Sequence, residues 1–152
     1  MQFCQSSWQP ISDYVLCFII NTLEEITKSC PFPIGHENIE YEQYFAGKSY
    51  LYPLSSEQVS IANVTFEPDC RNHWHIHHGG GQILLCTAGN GYYQEWGKDI
   101  VELHAGDVVN IPAEVKHWHG ATKNSWFSHI AISVPCENGY CEWLEEVEKE
   151  NK

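Results

Sequence analysis

From Ser49 onward the chain is a succession of short runs rich in β-branched, aromatic and aliphatic residues, each closed by residues that turn the backbone. The runs are Val59 to Phe66, Gln82 to Thr87, Gly91 to Trp96, Ile100 to Leu103, Asp107 to Ile111 and Trp126 to Val134. Between them, Ala88-Gly89-Asn90-Gly91, Gly97-Lys98-Asp99 and Ala105-Gly106-Asp107 supply the tight or positive-φ positions of antiparallel connections. Short strands linked this way bury their apolar faces only by closing into a sandwich or barrel, so the spacing predicts an all-β domain.

The flanks read differently. Pro31-Phe32-Pro33-Ile34-Gly35-His36 holds two prolines and a glycine that neither a helix nor a central strand tolerates, which marks a boundary. The layout expected is an N-terminal extension over 1–35, a barrel over 36–136 and an acidic helix or tail over 137–152. In the extension, the apolar run Tyr14 to Ile20, followed by Asn21, Thr22 and the Glu24/Glu25 pair, suggests a short helix packed on the barrel or on a second subunit. In the tail, Trp143, Leu144 and Val147 stand at helical spacing among glutamates.

At 152 residues with 43% hydrophobic content, the chain suits one domain with one core. Its formal charge of −12 repels phosphates and anionic headgroups, so neither nucleic acid nor a membrane surface is an expected partner. The run Tyr14 to Ile20 is too short to span a bilayer, lacks preceding Lys or Arg, and has no small-residue cleavage site. The seven cysteines form an odd set without CxxC spacing, as free thiols of a cytoplasmic protein would.

Chemistry concentrates in the histidines. Four of the nine fall between His73 and His78, where strand alternation sends His73, His75 and His77 to one face. Lys116-His117-Trp118-His119-Gly120 again places two histidines on one strand face, giving a second half-site. Imidazole suits zinc, copper, iron and nickel, and a mixed nitrogen and oxygen set also admits manganese or cobalt. Taken alone, the first cluster could equally be a chelating surface patch, and His119 and His129 could be pocket histidines satisfied by backbone carbonyls. His36 and His104 read as surface positions, His73 as a rim residue and His78 as a loop residue, because none keeps the spacing.

His75-Ile76-His77, four intervening residues and then Gln82 resembles the first cupin motif, with glutamine replacing its usual glutamate. The second motif resembles Gly106, five intervening residues, Pro112 and then His117, with Glu114 where that motif prefers glycine. The resemblance implies a double-stranded β-helix, or jelly-roll barrel, with short peripheral helices and one divalent transition metal held by His75, His77, Gln82 and His117. The ion could be Mn, Fe, Zn, Ni, Co or Cu, with Mn or Fe favoured. Within cupins the chain resembles those associated with carboxymuconolactone decarboxylase, and the manganese-dependent cupin hydroxynitrile lyases. His119 and His129 match histidines beside the metal in the latter, which implies catalytic acid and base roles.

Four neutral ligands would leave the ion's full charge inside a low-dielectric barrel, which favours redox-neutral Lewis-acid chemistry. The expected function is a lyase or decarboxylase-like enzyme acting on a small carbonyl or cyanohydrin-like molecule. The alternatives are a cupin dioxygenase and a non-enzymatic ligand-binding or accessory cupin. The resemblance also implies a homodimer.

Overall fold

The computed structural model describes residues 19–148. Twelve strands follow one short helix, α1 (Leu23–Ser29): β1 (His36–Glu37), β2 (Phe45–Ala46), β3 (Ser49–Ser55), β4 (Ile61–Phe66), β5 (Arg71–Asn72), β6 (His75–His78), β7 (Gln82–Glu95), β8 (Val101–His104), β9 (Val108–Ile111), β10 (His117–Ala121), β11 (Phe127–Ser133) and β12 (Tyr140–Trp143). The all-β expectation and the jelly-roll architecture are both met. No helix among the described residues is long and apolar enough to cross a membrane.

One strand organises the barrel. The first half of β7 pairs with β11 and β9, and its second half pairs with β10 and β8, so a single 14-residue strand belongs to two sheets. On one side the order continues β11, β4, β3 and β1; on the other, β10 carries β5 and β2 at one end and β6, then β12, at the other. Alternate residues of both sheets meet inside, where Val64, Phe66, Leu84, Cys86, Tyr93, Ile111 and Phe127 form the main core.

Three expectations are corrected. Ala88 to Gly91 is not a turn: β7 runs through it, and its glycines serve close packing. A Cβ on Gly89 (φ +71°) would lie 1.8 Å from the Trp126 carbonyl oxygen, and one on Gly91 would meet the Phe127 ring at 2.5 Å. No terminal helix forms within the described part of the tail. Tyr140–Trp143 instead extends along β6, with Cys141 opposite His77 and Trp143 opposite His75, because this pairing satisfies an open sheet edge. The N-terminal helix begins after the apolar run, whose residues 14–18 lie outside the described part. Ile19 and Ile20 are not helical, and the Ile20 carbonyl accepts from the Trp126 backbone N–H.

The start of α1 is fixed by its cap. Thr22 Oγ1 accepts from the Glu25 backbone N–H at 3.2 Å, and the Glu25 carboxylate accepts from the Thr22 N–H at 3.1 Å, which completes a capping box. Ile26 is fully buried in a second cluster with Ile20, Cys30, Ile34, Ala88 and Trp126, so this segment packs on the outside of its own barrel. A third cluster, Trp74, Trp118 and Val147, covers the outer face of β10.

Candidate metal centre

Strand alternation and pairing bring the distant half-sites together. His75 and His77 point inward from β6, and β10 pairs with β6 in the register that sets His117 beside His75. The result is a group of three histidines whose candidate ligand atoms lie within 4.8 Å of one another, a group able to hold a divalent metal. The ring centroids of His75 and His117 are 4.1 Å apart, and that of His77 is 5.2 Å from His75.

The hydrogen bonds around these rings test whether they suit a metal. His75 Nδ1–H donates to the His73 carbonyl at 2.9 Å, and His117 Nδ1–H donates to the Val115 carbonyl at 2.8 Å. Each bond fixes the tautomer that leaves the Nε2 lone pair free and orients the ring. The Nε2 atoms of His77 and His117 and the Oε1 atom of Gln82 are buried without any hydrogen-bond partner. Buried polar atoms are rarely left unsatisfied, and unpaired acceptors beside one another are what a cation would satisfy. The donor set therefore fits a divalent ion.

Burial sets the protonation states. It holds His75 well below the ordinary imidazole value, with the His117 charge adding to the effect. It also lowers His77, against the nearby Gln82 side chain, and takes His117 down to about 4. Neutral imidazoles are the ligand form, so no proton competes with a metal near neutral pH.

Beside this group lies a second histidine pair. His119, two residues beyond His117 on β10, has its ring 5.5 Å from that of His75. His129 Nε2 lies 3.2 Å from His119 Nδ1, and both rings pack on Phe66. Strand alternation turns Ser128 to the α1 side, in contact with Cys30, and His129 to the interior, while the register shift beside them leaves Thr87 of β7 as the extra residue. Burial takes His129 down to about 4, and burial, then the His129 charge, hold His119 well below its ordinary value.

The remaining sequence-selected residues sort as follows. His73 contributes its backbone carbonyl, while its ring stands edge-on to Tyr44 at 6.4 Å. His78 is a strand residue rather than a loop residue: it lies on β6, its Nδ1 meeting Glu114 Oε2 at 2.5 Å and its Nε2 meeting Glu142 Oε2 at 2.7 Å. Glu114, where the motif prefers glycine, keeps the left-handed backbone of a glycine (φ +67°), and its carboxylate also accepts from the Gly79 N–H. Cys86 is buried and its thiol pushed up to about 12, so it is an inert core residue.

Two neighbours escaped the sequence reading. Trp143 of β12 lies with its ring 4.7 Å from that of His75 and stacks on Tyr44, also at 4.7 Å. Its helical spacing masked the strand that carries it inward. Asn72, 2% exposed, contacts both the backbone and the ring of His119, and no motif spacing singles it out. A cavity of about 300 Å³ lined by Gln58, Ser60, Ser133, Cys136 and Cys141 reaches His77.

Comparisons with known proteins agree with this architecture. The Cupin domain family matches residues 62–132. An (R)-mandelonitrile lyase of Granulicella tundricola is 42% identical over 111 residues, covering 70% of this chain and 84% of that protein. The crystal structure of a cupin-like protein from Thermotoga maritima is 40% identical with a TM-score of 0.73, covering 79% of this chain and 92% of that one. A predicted oxalate decarboxylase from the same organism shares the fold at 23% identity and a TM-score of 0.56, over 59% of this chain and 83% of its own. The motifs, the barrel and these similarities together show that the chain belongs to the cupin superfamily.

Proposed function

We propose that this protein is a divalent-metal-dependent, redox-neutral lyase acting on a small cyanohydrin-like or carbonyl substrate. In this reading His75, His77, Gln82 and His117 hold the metal, and His119 and His129 are the catalytic pair. The observation that carries it is that His75, His77 and His117 bring candidate ligand atoms within 4.8 Å of one another, while Nε2 of His77, Nε2 of His117 and Oε1 of Gln82 are buried without a hydrogen-bond partner. The similarity to an (R)-mandelonitrile lyase supports the reaction class.

A bound ion, Mn or Fe in this reading, would supply undiminished positive charge where an oxygen or anion of the substrate gathers electrons. The chain supplies the rest. Backbone carbonyls of His73 and Val115 lock two ligand rings in place. A cavity of about 300 Å³ borders His77, one of the proposed ligands. Phe66 and Trp143 wall the site with apolar surface, which excludes water and strengthens local electrostatics. His119 and His129, beside the ligands but outside the set, are placed to handle the substrate proton.

The test is cleavage of mandelonitrile to benzaldehyde, followed optically. We expect His119→Ala and His129→Ala to lower turnover by about 100-fold or more while leaving the metal content of the wild type. Full activity in both variants contradicts the assigned roles, and oxygen uptake during turnover contradicts redox-neutral chemistry.

The reading also takes the protein as a cytoplasmic homodimer. Leu85 and Val108 pair across β7 and β9 and are both exposed, offering a second copy an apolar surface. Sedimentation as a monomer at micromolar concentration contradicts that part.

A further inference from the structure

His75 is 1% exposed, and more than its Nδ1 bond to the His73 carbonyl restrains its ring. The indole of Trp143 lies 4.7 Å away with its plane tilted by 34°. Rings so nearly parallel at that distance have no room to lie side by side, so they overlap face to face with an offset. Trp143 stacks in turn on Tyr44 at 4.7 Å, with the planes 6° apart, and Phe45 packs on it at 6.0 Å. Tyr44, Trp143 and His75 thus form a continuous run of rings. Backbone bonds set this run in place. Trp143 is the register partner of His75, the Leu144 N–H donates to the Trp74 carbonyl at 2.8 Å, and the Trp74 N–H donates to the Glu145 carbonyl at 3.0 Å. On the other side, the His73 N–H donates to the Tyr44 carbonyl at 2.8 Å. The strand that carries Trp143 lies beyond residues 62–132, the part that matches the family, so no motif calls for it.

We propose that Trp143 is a positioning residue of the metal centre, which holds the His75 imidazole in its ligand orientation and stabilises it further once Nε2 has bound a cation. The role rests on the ligand reading of His75, not on the identity of the substrate. An imidazole that shares its lone pair with a divalent cation becomes electron-poor, and the indole face is the most electron-rich surface a side chain offers. The contact therefore strengthens on metal binding. It raises affinity for the ion without adding a negative charge to the centre, in keeping with a neutral ligand set. A leucine could fill the same space, but it has no π face to give.

The test compares the full-length, metal-free wild type with Trp143→Phe and Trp143→Leu, each titrated with zinc and with cobalt. Zinc has no visible absorption of its own, so a change in indole absorption as it binds reports a perturbed tryptophan. The wild type should show that change, and Trp143→Phe should lose it while still binding the ion. In competition with a chelator, cobalt affinity should fall about 5-fold or more in Trp143→Leu and by less in Trp143→Phe, whose ring restores part of the face. The visible cobalt bands of Trp143→Leu should also shift from those of the wild type. A wild type that binds zinc with no indole change overturns the proposal, and that measurement needs no variant to fold. A change that persists undiminished in Trp143→Phe overturns it too. So does a Trp143→Leu protein that melts earlier yet keeps the wild-type cobalt affinity and bands, because the indole would then only fill space. A wild type that takes up neither ion defeats the ligand reading itself and the proposal with it.

Discussion

In the proposed ligand set Gln82 decides the charge of the centre. Its amide oxygen is buried without a hydrogen-bond partner, and an amide ligand would leave the ion's charge undiminished where the usual motif carboxylate would cancel part of it. Gln82→Glu should therefore retain metal more firmly against a chelator yet lower turnover by about 10-fold, because the ion polarises substrate less. Unchanged turnover in that variant contradicts the Lewis-acid account. Glu114 shows a different use of a departure from the motif. It holds a backbone conformation that costs a residue with a Cβ, and its carboxylate ties Gly79 and His78 together. Glu114→Ala and Glu114→Gly both lose those bonds, but only Ala keeps the conformational cost, so the melting temperature of Glu114→Ala should fall below that of Glu114→Gly; the reverse order contradicts a backbone cost at this position. Spacing alone could select Glu114, because the motif names its position, but it could not select Asn72, whose partners come from a strand 47 residues away.

At the scale of elements, β7 and β12 separate what patterning reveals from what it hides. The runs on either side of Gly89 were legible as strands, but glycine and asparagine between them looked like a turn. What they serve is packing against β11, which is visible only once that strand is beside them. Gly89→Ala should destabilise the protein by more than about 3 kcal/mol or abolish soluble expression, since both the φ value and the Trp126 carbonyl oppose a Cβ. A melting temperature near wild type would show that β7 can shift, which contradicts its role as the strand shared by both sheets. The tail misled for the opposite reason. Trp143, Leu144 and Val147 suit a helix, but the unpaired edge of β6 offers hydrogen bonds and an interior for Trp143, and tertiary pairing overrides local preference.

For the whole molecule, the buried histidines link stability to pH. Burial places His129 at about 4, against an ordinary value of 6.5 that it regains on unfolding. Between those values the unfolded chain takes up a proton that the folded chain refuses. Stability is therefore full above about pH 6.5 and declines as pH falls towards 4, by roughly 3 kcal/mol from this group at the bottom of the window. Urea unfolding of the metal-free protein at about pH 7 and about pH 4.5 measures the loss, and His129→Gln should remove this share of it. An equal slope in the variant contradicts the assignment. The barrel and the meeting of His75, His77 and His117 were legible because a two-residue period and motif spacing survive folding unchanged. The neighbours of the site were not, because they depend on which strands pair.

The account centres on a metal at the end of β6 and β10. Elemental mass spectrometry on protein purified without a histidine tag or chelator tests it most directly, with His75→Ala and His117→Ala measured alongside. The account predicts about one divalent transition metal ion per chain in the wild type, Mn or Fe, and its loss in both variants. A folded wild type that takes up no metal even after reconstitution, or variants that keep theirs, would contradict it.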